Sequence, residues 1–310
     1  MENPDYKNVY RYQVFFRTKK GGCGIEYETA KAEFLSVFGE NDTEFIWEYP
    51  GRMRMDIKIK YPPEIVRKKA EKLGYTMGIT RVYEEPYRGA ALYSYRTGRW
   101  ALGWIRKGDN KILLTEVYRQ DEDKILENAP DRRTFLLEQD GSVSEVKGHR
   151  KRRGVSPNDA KFILNIARLQ GKEVILDPFA GLGGLVIECV ERGFKVHATE
   201  IDKSLRPGLA DFSDNQLAIA DARKLPFRDK TFDSIITEPP FDIKYRQDVL
   251  DSISELQRVV KSPGKIVLFI AADMHDQILE KMKYANFQLD ADFKIRRHSK
   301  LMSHVLVWSI

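Results

Sequence analysis

The chain of 310 residues is 42% hydrophobic and 32% charged, with a formal net charge of +6. It is long enough for two domains, and no segment approaches the roughly 18 apolar residues of a membrane-spanning helix. Cys23 and Cys189 form neither a disulfide framework nor a zinc-ligand spacing, and residues 1–5 lack the features of a secretory signal. We therefore expect a globular, cytoplasmic protein without a membrane anchor or a metal site.

The N-terminal half shows strand and helix patterns in alternation. Strands are predicted at residues 10–17 and 52–61, an amphipathic helix at 27–38 and a second helix at 63–73. This order indicates a small α+β module, and a ferredoxin-like arrangement is the fold that it suggests.

Glycines and a basic run punctuate the sequence between residues 140 and 156. We place the domain boundary there, so that residues 1–148 form an α+β accessory region and residues 149–310 form a second domain.

Basic residues concentrate in two places. Residues 51–100 contain 12 Lys and Arg against 5 Asp and Glu, and aromatic residues interleave with basic ones between Tyr83 and Trp104. A second basic run, at residues 147–153, lies where the second domain begins. Both are explained by a solvated surface, but basic and aromatic side chains together also neutralise phosphates and stack on bases. The candidate RNA contacts are Arg150, Lys151, Arg152 and Arg153.

The second half alternates short apolar runs with helical patterns, which is typical of an α/β fold with a parallel sheet. Ser156 and Pro157 form a start signal for a helix over residues 158–169. The predicted strands end at positions 177, 200, 221, 237 and 270, and further strand candidates at 290–297 and 304–309 close the chain.

The first strand of this half runs into a glycine-rich turn. Such a turn lets the backbone approach a ligand, and it is where nucleotide-like ligands lie in these sheets. A dinucleotide pattern is excluded because Val186 stands where the third glycine is required, and no phosphate-loop motif is present. Asp177 at the strand end suits an ammonium group, which S-adenosylmethionine has and a dinucleotide lacks. Glu200 suits ribose hydroxyls, and Asp221-Ala222 is placed to contact adenine.

These residues resemble the class I S-adenosylmethionine-dependent methyltransferases over about half of the chain. The resemblance implies a Rossmann-like, seven-stranded sheet that ends in an antiparallel hairpin, with S-adenosylmethionine as the cofactor. The cofactor-binding residues that follow from it are Asp177, Phe179, Gly181, Gly183, Gly184, Glu200, Ile201, Asp221 and Ala222.

After the fourth strand comes a motif that resembles the Asp/Asn/Ser-Pro-Pro-aromatic motif of methyltransferases acting on exocyclic amines of bases. Such an amine is a poor nucleophile because its lone pair is delocalised into the ring. Acceptors for both N–H bonds would localise that lone pair, prolines would keep the loop rigid, and the aromatic ring would stack on a base presented out of its helix. The predicted catalytic residues are Glu238, Pro239, Pro240 and Phe241.

Glu238 departs from the motif in length and in charge, and this leaves the identity of the base open. The order of the motifs resembles two kinds of archaeal enzyme, tRNA guanosine-N2 and ribosomal-RNA cytidine-N4 methyltransferases. The basic segment at 296–301 is similar to a turn near the end of the tRNA enzymes, but no THUMP RNA-binding domain can be traced in residues 50–140. We expect structured RNA as the partner. DNA amino-methylation and a catalytically silent RNA-binding assembly factor are the alternatives.

Overall fold

The computed structural model describes residues 9–17, 24–82, 93–94, 99–100, 104–107, 110–120, 134–137, 143–146, 154–206, 209–210, 213, 216–283, 287–298 and 301–310. The chain divides into two compact units, Met1–Lys19 with Ile25–Glu127 and Lys20–Gly24 with Asn128–Ile310. The division at Glu127 lies earlier than residue 148, because the strand pair between residues 134 and 146 belongs to the second unit.

The first unit is an α+β structure built on an antiparallel sheet. Its elements are β1 (Tyr10–Phe16), α1 (Tyr27–Phe38), β2 (Thr43–Tyr49), β3 (Arg54–Ile59), α2 (Pro63–Ala70), β4 (Thr76–Val82), β5 (Tyr93–Ser94), β6 (Arg99–Trp100), β7 (Trp104–Lys107) and β8 (Asn110–Arg119). The sheet order is β2-β3-β1-β4-β8-β7. The first four strands and two helices have the βαββαβ order with β1 between β3 and β4, which confirms the predicted ferredoxin-like arrangement.

Six strands of this unit, β2 and β4 to β8, were not anticipated from the sequence. Strand β2 is an edge strand rich in aromatic and β-branched residues, and this composition is a signal that could have found it. The strand predicted from residue 52 begins later, at Arg54, because Pro50–Arg52 form a 3-10 turn and Met53 adopts a left-handed conformation.

The second unit is a doubly wound α/β domain. Its elements are β9 (Thr134–Leu137), β10 (Val143–Val146), α3 (Pro157–Ala167), β11 (Val174–Asp177), α4 (Gly184–Glu191), β12 (Lys195–Glu200), β13 (Leu217–Ile219), β14 (Phe232–Thr237), α5 (Arg246–Val259), β15 (Val260–Ala271), α6 (His275–Lys283), β16 (Gln288–His298) and β17 (Leu301–Ser309). The large sheet has the order β13-β12-β11-β14-β15-β17-β16. Strand β17 pairs antiparallel with β15 and β16, and this confirms the predicted seven-stranded sheet and closing hairpin.

Local signals explain where the first helix of this unit begins. The Ser156 hydroxyl accepts a hydrogen bond of 3.1 Å from the backbone N–H of Asp159, and Pro157 occupies the first turn. Phe162 and Ile163 are fully buried, so this helix covers one face of the domain core.

Helices α5 and α6 contribute Val249, Ile253 and Ile278 to a hydrophobic cluster that also contains Trp308 of β17. Within the described part of the chain, no helix has the length and apolar character needed to cross a bilayer.

Candidate active site

The glycine turn after β11 has the backbone geometry that its sequence requires. Gly181 and Gly183 have φ angles of 52° and 80°, in the left-handed region that favours glycine, and Gly183 caps the start of α4. A Cβ on Gly184 would lie 2.9 Å from the carbonyl oxygen of Val155. The glycines therefore allow a tight turn in which Gly183 donates to the carbonyl oxygen of Ala180 and the start of α4 packs directly against the backbone of Val155.

Asp177 is buried at the carboxyl end of β11. Its Oδ1 accepts hydrogen bonds from the Thr237 hydroxyl at 2.6 Å and from the backbone N–H of Phe179 at 3.2 Å. Burial raises the pKa of Asp177 to about 7, although both hydrogen bonds act in the opposite direction. A cationic ligand group would offset this cost, so the site favours an ammonium group.

Glu200 is held at the end of the neighbouring strand β12. Its two carboxylate oxygens accept hydrogen bonds of 2.9 Å, one from the N–H of Gly181 and one from the N–H of Asp202. Each oxygen keeps a second lone pair, which suits the hydroxyls of a ribose. The next residue, Ile201, is 64% exposed, and it offers an apolar surface beside the acid.

Asp221 lies after β13 and is already engaged by a partner that the sequence did not reveal. Nε of Arg223 lies 3.0 Å from both of its carboxylate oxygens, and the Arg223 side chain also pairs with Asp248 of α5. These hydrogen bonds hold the pKa of Asp221 below its usual range. Ala222 is buried beside it. The predicted contact of this pair with adenine remains a prediction.

The motif at 238–241 follows β14 directly, and Glu238 forms an ion pair with Arg297 of β16. Both side chains are largely buried, with 13% and 15% exposed. A second nitrogen of Arg297 donates to the carbonyl oxygen of Gly154 at 3.4 Å. The sequence singled out the basic segment at 296–301 without giving Arg297 a role, because nothing local relates residues 59 positions apart.

Aromatic rings enclose this ion pair. The guanidinium of Arg297 lies 5.4 Å from the ring centroid of Phe241 and 4.9 Å from that of Phe269. The two rings meet edge to face with their centroids 5.9 Å apart. Burial raises the pKa of Glu238 to about 8, and the charge of Arg297 works against that rise. A carboxyl group with a pKa in this range can exchange a proton near neutral pH.

The glycine turn and the 238–241 motif lie at the same edge of the sheet. Strands β11 and β14 are parallel neighbours, with Ile175 opposite Ser234 and Leu176 opposite Ile235. The Thr237 hydroxyl joins the two motifs through its hydrogen bond to Asp177. A methyl donor on the turn would therefore face an amine held by Glu238 across the carboxyl ends of two adjacent strands.

An exposed surface follows the motif directly. Ile243 is 71% exposed and Tyr245 is 42% exposed, and Nζ of Lys244 lies 4.7 Å from the centroid of the Tyr245 ring. Apolar and aromatic side chains beside a cation suit a stacked base and its phosphate. The predicted RNA contacts Arg150, Lys151, Arg152 and Arg153 lie outside the described residues, as do the side chains between Tyr83 and Trp104.

Comparison with known proteins supports the interpretation of the second unit. Residues 176–268 match a family model described as "Methyltransferase domain". The strand order places a reversed hairpin at the end of a parallel sheet around this same segment. These residues form a class I methyltransferase domain.

Two curated relatives and one solved structure illustrate how far the likeness extends. The chain is 33% identical over 95 residues to the tRNA (guanine(10)-N2)-dimethyltransferase of Methanothermobacter thermautotrophicus, which is 29% of this chain and 28% of that protein. It is also 33% identical over 116 residues to the demethylmenaquinone methyltransferase of Streptomyces avermitilis, which is 37% of this chain and 45% of the relative. The chain therefore spans less than half of the length of either relative.

The crystal structure of TrmN from Thermus thermophilus has a TM-score of 0.53 at 14% identity, over 97% of this chain and 99% of that chain. The fold is therefore shared with that protein along almost the whole chain.

S-adenosylmethionine is the methyl donor of this domain, and the described residues fit it. Asp177 would provide a buried carboxylate for the ammonium group, and both of its described hydrogen bonds end on Oδ1. Glu200, which two backbone N–H groups hold in place, would receive the ribose. Ile201 would offer its exposed apolar side chain to the adenine ring. These residues would bind and orient the donor, which supplies an electrophilic methyl group when bound.

Proposed function

We propose that the protein transfers a methyl group from S-adenosylmethionine to the exocyclic N2 amine of a guanosine in structured RNA. The observation that carries the proposal is the Glu238–Arg297 ion pair in the motif beside the cofactor turn. It supports both amine chemistry and a choice among the bases.

The choice of base follows from the hydrogen-bonding edges of the three candidates. The Watson–Crick edge of guanine presents two neighbouring donors, N1–H and the N2 amine, followed by the acceptor O6. A single carboxylate accepts from both donors, and a guanidinium beside it can donate to O6. Cytosine and adenine instead place an acceptor next to their amine, and that acceptor would face the negative Glu238. The pair therefore favours guanine over the other two bases.

The same carboxylate also prepares the amine for attack. When Glu238 accepts one N2–H and the backbone near Pro239 accepts the other, the nitrogen lone pair turns away from the ring and toward the donor methyl group. The N–C bond then forms as the S–C bond breaks, and the resulting ammonium loses a proton. Glu238, with a pKa of about 8, is a suitable acceptor for that proton.

Pro239 is buried, so the loop that carries these acceptors is anchored in the domain. Phe241 is partly buried against Arg297, and it presents a ring for the flipped base. Ile243 and Tyr245 extend this surface outward.

The relatives alone do not choose a substrate, because one is named for a tRNA guanine and the other for demethylmenaquinone. A quinone ring has no exocyclic amine, and so it has no need of paired acceptors at Glu238 and Pro239. The basic run at 150–153 suits a polyanion, and this supports RNA as the substrate class.

Labelled methyl transfer to purified RNA fractions, followed by mass spectrometry of the nucleosides, tests the proposal. We expect N2-methylated or N2,N2-dimethylated guanosine. If the product is N4-methylcytidine, the substrate base is cytosine and not guanine. If only DNA is labelled, the substrate is DNA and not RNA. If neither nucleic acid is labelled, the result favours a catalytically silent RNA-binding factor.

A matched pair of variants tests the role of Glu238. Glu238→Ala should lower turnover by ~100-fold or more while the affinity for S-adenosylmethionine stays near normal. Asp242→Ala, which removes an exposed acid next to the same motif, should change turnover little. Equal turnover in the two variants would remove Glu238 from the proposed mechanism.

A further inference from the structure

Two histidines and an aspartate meet on the surface of the second unit, apart from the residues assigned to methyl transfer. His275 begins α6, Asp292 lies in β16 and His304 lies in β17. One ligand atom from each lies within 4.8 Å of the other two. The sequence predicted no metal site, because these residues have no ligand spacing along the chain and three separate elements bring them together.

The inward nitrogens of both imidazoles converge on one carboxylate. Nε2 of His275 lies 2.8 Å from Oδ2 of Asp292, and Nδ1 of His304 lies 2.6 Å from Oδ1 of the same residue. The two rings lie with their centroids 4.3 Å apart. A single ion could therefore replace both hydrogen bonds and bind the three residues without a change of backbone.

The sheet holds this arrangement in place. His304 pairs with Ile270 of β15 on one side and with Lys294 of β16 on the other, and Asp292 pairs with Leu306. Asp292 and His304 are thus diagonal neighbours on one face of an antiparallel pair. His275 reaches them after the short turn Ala272–Met274 that follows β15. Because two of the three ligands stand within a paired sheet, little order has to be gained on binding.

Both ring nitrogens of His275 face carboxylates, since its Nδ1 also lies 2.8 Å from a carboxylate oxygen of Asp276. A protonated imidazole donates to both carboxylates, whereas a neutral imidazole has a single N–H. In the neutral ring, Nδ1–H donates to Asp276 and the lone pair of Nε2 is directed toward Asp292, so that a metal ion between them would bind both. A carboxylate on the outer nitrogen is the usual support of a metal-bound histidine.

We propose that Nε2 of His275, Nδ1 of His304 and a carboxylate oxygen of Asp292 bind one divalent transition-metal ion of the zinc type. Two imidazoles and one carboxylate match the donors that zinc prefers, whereas calcium and magnesium prefer oxygen ligands alone. The charges of Asp292 and Asp276 balance a dication. The three side chains are 20%, 31% and 14% exposed, so a fourth position is open to water.

The consequence of such an ion is structural. It would join α6 to both strands of the closing hairpin, and β16 carries Arg297 five residues beyond Asp292. The site would thus stabilise the strand that supplies the partner of Glu238. The proposal does not depend on the proposed function, because it concerns binding alone.

Zinc binding to the full-length, untagged chain after treatment with a chelator tests the inference. We expect one Zn²⁺ per chain in a competition titration against a chromophoric chelator. Asp276 would support His275 without touching the ion, so Asp276→Asn should weaken zinc binding by ~10–100-fold. His304→Gln and Asp292→Asn each remove a proposed ligand and should weaken zinc binding by more than that. Asp290→Asn, with the same change of charge on the same strand, is the matched control and should bind as the wild type does.

A second measurement needs no variant. Zinc should protect His275 and His304 from acylation by diethylpyrocarbonate, as read by peptide mass spectrometry, because a coordinated nitrogen is not nucleophilic. Binding of less than one ion per chain, equal affinity in the His304→Gln variant and the control, or unprotected histidines at saturating zinc would each overturn the proposal.

Discussion

The hydroxyl of Thr237 donates a 2.6 Å hydrogen bond to Oδ1 of Asp177, from the last residue of β14 to the last residue of β11. This bond connects β11, which leads into the glycine turn, to the motif that begins at Glu238. It also stabilises the ionised form of a fully buried carboxyl group. Thr237 therefore orients the acid that is expected to receive the ammonium group of the donor.

Removing this hydrogen bond should weaken cofactor binding. Thr237→Val keeps the shape of the side chain but leaves Asp177 with one fewer donor, and a bond to a charged group contributes about 1.5–3 kcal/mol. We expect the Kd for S-adenosylmethionine, measured by calorimetry, to rise by about tenfold or more. Thr231→Val removes an exposed hydroxyl contact just before the same strand and should leave the Kd unchanged. The same Kd in both variants would deny Thr237 this role.

The affinity for S-adenosylmethionine should depend on pH through Asp177. Because its pKa is raised to about 7, the carboxyl is protonated below that pH and must lose a proton before it pairs with the ammonium group. The Kd should therefore rise by up to ~10-fold for each pH unit below 7 and level off above it. Asp177→Asn should bind weakly with no such slope. A flat wild-type profile from about pH 5 to 8 would contradict the assignment.

Arg297 should control the pH at which the enzyme becomes active. In Arg297→Met the buried Glu238 loses its counter-charge, so its pKa should rise further above about 8. The rising limb of the pH–rate profile should move to higher pH, and turnover at neutral pH should fall by ~10-fold for every pH unit by which that limb moves. Arg296→Met removes the same charge from the exposed neighbouring position and should keep the wild-type profile. Coincident profiles would mean that Arg297 serves packing alone.

Gly184 should tolerate no side chain. The Cβ of Gly184→Ala would lie 2.9 Å from the carbonyl oxygen of Val155 and 3.3 Å from its Cβ, so the start of α4 must shift. We expect a loss of about 1–3 kcal/mol in the free energy of unfolding, measured by urea denaturation. Gly171→Ala, whose Cβ has nothing within 4 Å, is the control and should be close to neutral. An unchanged midpoint in Gly184→Ala would show that the segment at Val155 moves freely.

The basic run should contribute to RNA affinity by neutralising phosphates. Replacing its four cations by Gln should reduce the slope of log Kd against log salt by up to ~0.7–0.9 for each phosphate that is no longer neutralised. Four exposed lysines of the second unit provide a control with the same change in net charge. They are Lys172, Lys195, Lys281 and Lys283. Equal slopes in the two quadruple variants would assign the basic run to a solvated surface.

Much of the architecture follows from local patterns. Three local signals predicted the α/β sheet and its glycine turn: the apolar runs, the helix start at Ser156 and Pro157, and the glycines at 181–184. Each of these signals depends only on residues that are close together in the sequence. The motif at 238–241 was visible for the same reason. The edge strand β2 was missed because Ile46 and a bulge between Phe45 and Trp47 interrupt the alternation of polar and apolar residues along it.

By itself, the sequence determined the fold class and the methyl donor, and it predicted the segment at 238–241 as the one that carries the chemistry, because hydrophobic period, glycine and proline act along the chain. The tertiary structure alone decided which residues lie against the predicted site residues. It pairs Glu238 with Arg297, Thr237 with Asp177, and Asp292 with two histidines. These partners depend on strand order and register, and in a sheet a shift of one residue would turn each side chain to the opposite face.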